Sequence, residues 1–104
     1  MIEALKSLFG LGPKIDYADL VKQGAVILDV RTKGEYAGGH IGGSVNIPID
    51  QLKVNTQRFS DKNKVIITCC ASGMRSGSAK SILKSKGYTQ VHNGGSWMSL
   101  QHKI

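Results

Sequence analysis

The side chains with most chemical capacity sit together in Thr68-Cys-Cys-Ala-Ser-Gly-Met-Arg-Ser76. A cysteine acts as a nucleophile in its thiolate form, which neighbouring positive charge and helix N-termini favour. Arg75 supplies a fixed charge, and Gly73 lets a short turn fold its backbone N–H groups inward. Such amides can converge on one anion. A thiolate held this way can capture a sulfane sulfur as a persulfide and pass it on, a two-step covalent chemistry suited to thiols. Capture moves no proton, so a neighbouring histidine base is not required. Taken alone, Cys70 also fits a small buried residue at a strand end.

The flanking sequence says what must position this stretch. Lys64-Val-Ile-Ile-Thr68 before it is apolar enough for a buried strand. A helix is expected from about Arg75 to Lys86, with Ala79, Ile82 and Leu83 on one face and Gly87 as its stop. The turn between them spans Cys70 to Met74. Ala25-Val-Ile-Leu-Asp-Val30 is a second buried strand. Helices are expected to open at Asp16, with Asp19 completing a partial capping box, and at Thr32, boxed by Glu35. A brief strand at 44–47 ends at Pro48, and Asp50 can cap a short helix through Leu52. A last strand around Gln90–His92 leads to a turn at Asn93-Gly-Gly95 and a helix from about Ser96. Strands alternating with helices predict an α/β domain, a mainly parallel sheet with helices on both faces. Ligands of such sheets bind beyond the carboxyl ends of the strands, where Cys70 falls.

The chain has 104 residues, which suits one domain. Residues 1–12 read as a short amphipathic segment and 13–104 as the domain. No apolar run reaches the ~20 residues of a membrane span, and Lys6 interrupts the opening stretch, so stable membrane insertion or secretion is disfavoured and a cytoplasmic location is expected. Two adjacent cysteines cannot form a disulfide framework. The net charge of +7 comes largely from eleven lysines spread along the chain. With six aromatic residues and no basic run, this pattern favours a solvated surface over a nucleic-acid partner. Small anions remain the charged partner of interest.

Four stretches, in order, resemble the small single-domain rhodaneses, or rhodanese-like sulfurtransferases. They are Asp29-Val-Arg-Thr-Lys-Gly-Glu-Tyr36, Gly39-His-Ile-Gly-Gly-Ser-Val-Asn-Ile-Pro48, Cys70-Ala-Ser-Gly-Met-Arg-Ser76, and Asn93-Gly-Gly95 with Trp97. The resemblance implies a rhodanese-like three-layer sandwich and sulfur transfer without metal or cofactor. It implies Cys70 as the persulfide-forming cysteine, Arg75 beside it, and Ala71, Ser72, Gly73, Met74 and Ser76 around the transferred sulfur. Asp29 and Arg31 match a supporting pair at the end of the central strand, with Arg31 and Glu35 spaced for a local ion pair. His40 matches a structural position. The donor would be thiosulfate or a protein or small-molecule persulfide, and the acceptor cyanide or a thiol. Ala71 and Met74 are uncharged where thiosulfate-using relatives often carry basic residues, which shifts the expectation towards persulfides.

Two alternatives stay open. Counted from Cys69, the motif is Cys-X5-Arg, the spacing of related arsenate reductases and dual-specificity phosphatases. Ser72-Gly73 and Arg75-Ser76 align only when Cys70 is the nucleophile, which predicts Cys69 on the opposite face of its strand. The other alternative is a non-catalytic binding module of the same fold; such modules commonly lose the cysteine.

Overall fold

Both apolar runs form central strands in the computed structural model, which describes residues 14–54 and 59–104. The amphipathic segment expected over 1–12 lies outside the described residues. The elements follow one another as α1 (Tyr17–Lys22), β1 (Val26–Asp29), α2 (Lys33–Ala37), β2 (Val45–Asn46), α3 (Ile49–Leu52), β3 (Ile66–Cys70), α4 (Met74–Ser85), β4 (Val91–Ser96) and α5 (Trp97–Gln101). All strand pairings are parallel, in the order β2-β1-β3-β4.

The chain leaves β1 towards β2 on one side and returns to β3 on the other. The strand order therefore reverses between β1 and β3, and a crevice forms beyond the carboxyl ends of strands at such a point. Asp29 and Cys69 are partners there, with Cys70 one residue further along β3.

Alternation along the strands divides the core into two layers. Leu28, Val30, Ile66 and Cys70 pack with Leu52 of α3 and with Ala79 and Leu83 of α4. Ile27, Ile67 and Cys69 pack on the other face with Leu100 of α5 and with Tyr17, Leu20 and Val21 of α1. This is a three-layer sandwich with helices on both faces. Leu28 and Leu83 are fully buried, and truncating either to alanine costs about 2–5 kcal/mol. Among the described residues no helix is long and apolar enough to cross a membrane.

Local chemistry explains most boundaries. Asp16 caps α1 by accepting from the Asp19 N–H at 3.0 Å. The Asp19 carboxylate turns forward to Gln23 instead of back to the cap, so the capping box stays partial. At α2 the box is complete: Thr32 Oγ1 accepts from the Glu35 N–H, and the Glu35 carboxylate accepts from the Thr32 N–H.

Three expectations are corrected. Strand β3 extends to Cys70, so both cysteines belong to the strand itself. Asp50 is not a cap but lies inside α3, because Pro48 occupies the N-cap position without a side-chain bond. Asn93-Gly-Gly95 is strand rather than turn, and lies in the middle of β4.

Candidate active site

The loop Ala71-Ser-Gly73 joins the end of β3 to the start of α4. Its tightness comes from Gly73, which caps α4 in the left-handed region at φ 98°. A side chain there would be strained, and its Cβ would stand 3.4 Å from the Gly95 Cα. In this conformation the Gly73 N–H donates to Cys70 Sγ at 2.9 Å. Ser76, one turn into α4, places its Oγ 3.6 Å from the same sulfur and accepts from the thiol.

These partners set the ionisation of Cys70. Burial is the largest single influence and opposes the thiolate; the Ser76 hydroxyl and the backbone N–H groups of Ser76, Gly73 and Ser72 together outweigh it. The thiol therefore lies below its ordinary value. Cys69 shows the reverse. Burial, then the nearby Asp29 carboxylate, pushes its thiol up to about 12. With its side chain in the α1/α5 layer, Cys69 is not presented to the loop.

Ala71, Ser72 and Met74 form the outer rim, and Met74 is 81% exposed. Arg75 points across the crevice to α2, where its Nη1 and Nη2 donate to Glu35 Oε1 and Oε2 at 2.7 and 2.9 Å. The guanidinium fork is matched by a carboxylate. Arg75 holds the Glu35 carboxyl down to about 2, and the Thr32 N–H adds to the effect.

The ion pair expected between Arg31 and Glu35 does not form. Arg31 turns back two residues and grips Asp29, Nε to Oδ1 at 2.9 Å and Nη2 to Oδ2 at 2.7 Å. Its other bonds reach the Gly39 and Glu35 carbonyls, and its guanidinium lies 4.7 Å from the Trp97 ring centroid. Both members of the pair are buried. They join β1 to the loop after α2 and stand in support of the site. His40 also serves structure: its ring stacks on Tyr36 with centroids 3.7 Å apart, and Nδ1 lies 2.7 Å from the Tyr36 carbonyl oxygen.

Two residues at the site escaped the sequence reading. Glu35 is the partner of Arg75 across 40 residues, and no local pattern in the sequence points to it. Asn93 is the other: its Oδ1 accepts from Ser76 Oγ at 2.6 Å and from the Gly95 N–H at 2.9 Å. The polar residue before Gly94-Gly95 was the available signal.

The rhodanese-like domain family model matches residues 15–101. The chain belongs to this family. Thiosulfate sulfurtransferase PspE of Escherichia coli is 39% identical over 69 residues, which cover 65% of this chain and 66% of PspE. The chain thus spans just under two thirds of that relative's length. A solved E. coli rhodanese with anions superposes with a TM-score of 0.68 at 36% identity, covering 72% of this chain and 89% of that one. The human single-domain sulfurtransferase TSTD1 gives 0.69 at 25% identity, covering 84% of this chain and 90% of its own. The rhodanese-like fold and the four sequence stretches therefore agree, and the loop from Cys70 to Ser76 falls within the matched residues.

Proposed function

We propose that this rhodanese-like protein is a sulfurtransferase working through a persulfide on Cys70. The observation that carries the proposal is the Gly73 N–H aimed at Cys70 Sγ from the short loop Ala71-Ser-Gly73. A Cys-X4-Arg loop of this length suits a single outer sulfur better than the several oxygens of a tetrahedral oxyanion. The thiolate attacks the outer sulfur of the donor. A bond forms between Sγ and that sulfur, the donor's S–S bond breaks, and its electron pair leaves on sulfite or on a thiolate. In the second half the acceptor, a cyanide carbon or a thiolate, attacks the outer sulfur. Cys70 thiolate is then the leaving group. Backbone amides stabilise the charge at both stages.

The charge balance of the loop favours a persulfide donor over thiosulfate. Arg75 is matched by Glu35, and Ala71 and Met74 add no charge. Recognition of a dianion would fall on backbone dipoles alone, whereas a donor of lower charge needs no side-chain cation. The placement of Cys69 in the opposite layer weighs against a Cys-X5-Arg phosphatase.

Mass spectrometry after incubation with thiosulfate, or with glutathione persulfide, tests the proposal. The expected result is a gain of one sulfur, located on Cys70, removed by cyanide. A gain confined to Cys69, or no gain with either donor, overturns it.

A further inference from the structure

We infer that Asn93 is a positioning residue that decides whether the Ser76 hydroxyl gives its proton to Cys70 Sγ. Ser76 Oγ carries one proton and faces three acceptors: Asn93 Oδ1 at 2.6 Å, the Gly73 carbonyl at 3.0 Å and, once ionised, Cys70 Sγ at 3.6 Å. The amide of Asn93 cannot turn over to offer its NH2 group, because Oδ1 is held by the Gly95 N–H. On the other side of Ser76, its own carbonyl accepts from buried Thr68 Oγ1 at 2.9 Å, which fixes the backbone. The hydroxyl can rotate while its oxygen stays in place.

The strand builds this arrangement. Between Thr68↔Asn93 and Cys70↔Ser96 the register shifts, so β4 carries one residue more than β3. Gly94 has no room for a side chain: a Cβ would lie 2.9 Å from Ile67 Cγ2, Leu100 Cδ2 and the Thr68 carbonyl oxygen. Gly95 takes φ 80° and returns its N–H to Asn93. Such a bulge re-aims a side chain, here towards Ser76.

Two hydrogen-bonded states follow. With Cys70 as a thiol, the chain runs S–H to Ser76 Oγ and Ser76 O–H to Asn93 Oδ1. With Cys70 as a thiolate, turning the Ser76 proton to Sγ costs the bond to Asn93. When Sγ is bonded to an outer sulfur it is no longer charged, and the hydroxyl returns to Asn93. Asn93 thus favours the thiol and the loaded cysteine over the bare thiolate. The other groups around Cys70 are Cys69, the Asp29–Arg31 pair and the Arg75–Glu35 pair. In each pair the carboxylate and guanidinium bond one another, and among the described residues neither pair hydrogen-bonds Cys70 Sγ. Lys80 and Lys84 face His92, further along the sheet.

The inference rests on Cys70 as the site thiol, and its test is separate from sulfur transfer. Thiolate absorbance is titrated in the full chain, where Cys69 stays protonated to about 12 and the lower transition reports Cys70. Asn93→Ala is expected to lower the Cys70 midpoint by about one pH unit, roughly a tenfold gain in thiolate at fixed pH. Asn93→Asp, which keeps and strengthens the acceptor, is expected to raise it. Ser76→Ala is expected to raise it and to abolish the effect of Asn93→Ala. An unchanged or raised midpoint in Asn93→Ala, or an equal shift in the Ser76→Ala background, overturns the inference. Should Asn93→Ala not fold, Asn93→Asp decides: a lowered or unmoved midpoint overturns it, as does a rise of the same size without Ser76. If the midpoints move as expected but no sulfur loads onto Cys70, the functional proposal fails and the role of Asn93 stands.

Discussion

Cys69 and Cys70 share a peptide bond, are equally buried, and face opposite layers of the sandwich. Cys70 ends in a shell of donors, from the Gly73 amide to the Ser76 hydroxyl. Cys69 ends among Ile27, Ile41, Ile67 and Leu100, with the Asp29 carboxylate as its electrostatic neighbour. Burial alone therefore does not set the reactivity of a thiol. What differs is whether polar groups aim at the sulfur, and that follows from which face of β3 meets the loop.

The comparison is broken most directly by exchanging each sulfur for oxygen. Cys70→Ser is expected to abolish sulfur transfer to cyanide. Cys69→Ser, which places a hydroxyl in the apolar layer away from the loop, costs stability but retains most of the rate per folded chain, within about twofold. Initial rates on the folded variants check this, and the reverse ranking would move the site to Cys69. Next in size is selective alkylation. A thiol held at about 12 is ionised roughly a thousandfold less than one at the ordinary 9.0. Brief iodoacetamide treatment near neutral pH should label Cys70 and spare Cys69 until the chain unfolds, as peptide mapping would show.

Arg75 sharpens the comparison from the loop side. Arg75→Ala leaves the Glu35 carboxylate unmatched beside the site, and about a tenfold loss of transfer rate is expected. Arg75→Lys keeps a charge without the two-pronged fit and should lose less. Equal, wild-type rates for both variants would remove Arg75 from the mechanism. The smallest effect concerns acid stability. Glu35 titrates at about 2 when folded against an ordinary 4.5, so it remains ionised in the folded chain where the unfolded chain binds a proton. Its contribution is full above about 4.5 and fades as the pH falls towards 2. Urea unfolding across that window should show the slope shrink in Glu35→Gln, modestly, since the pair is partly in solvent.

The sequence made the local chemistry legible and left the long-range partners hidden. The apolar runs of β1 and β3, the Thr32–Glu35 box and the Gly73 turn each depend on residues within a few positions. So does the opposition of Cys69 and Cys70, which needs only the two-residue period of a strand. Glu35 and Arg75 meet across 40 residues, and no local rule joins them. Arg31 chose Asp29 over Glu35 because both residues are buried at the end of β1, where an unpaired charge is costly. Asn93-Gly-Gly95 read as a turn because glycine weakens a strand. Its place in β4 is fixed by Ile67 and Leu100, which leave space only for a bare backbone at Gly94.

The opposed directions of Cys69 and Cys70 also limit which bonds the two thiols can form with one another. A disulfide needs its two Cβ atoms about 3.5–4.5 Å apart, whereas adjacent strand residues send theirs to opposite sides. Closing one between these two would tear the end of β3 out of register with β1 and β4. The sequence has no third cysteine. A persulfide on Cys70, as proposed above, would therefore find no thiol of this sequence within reach, and its outer sulfur would wait for an acceptor from outside.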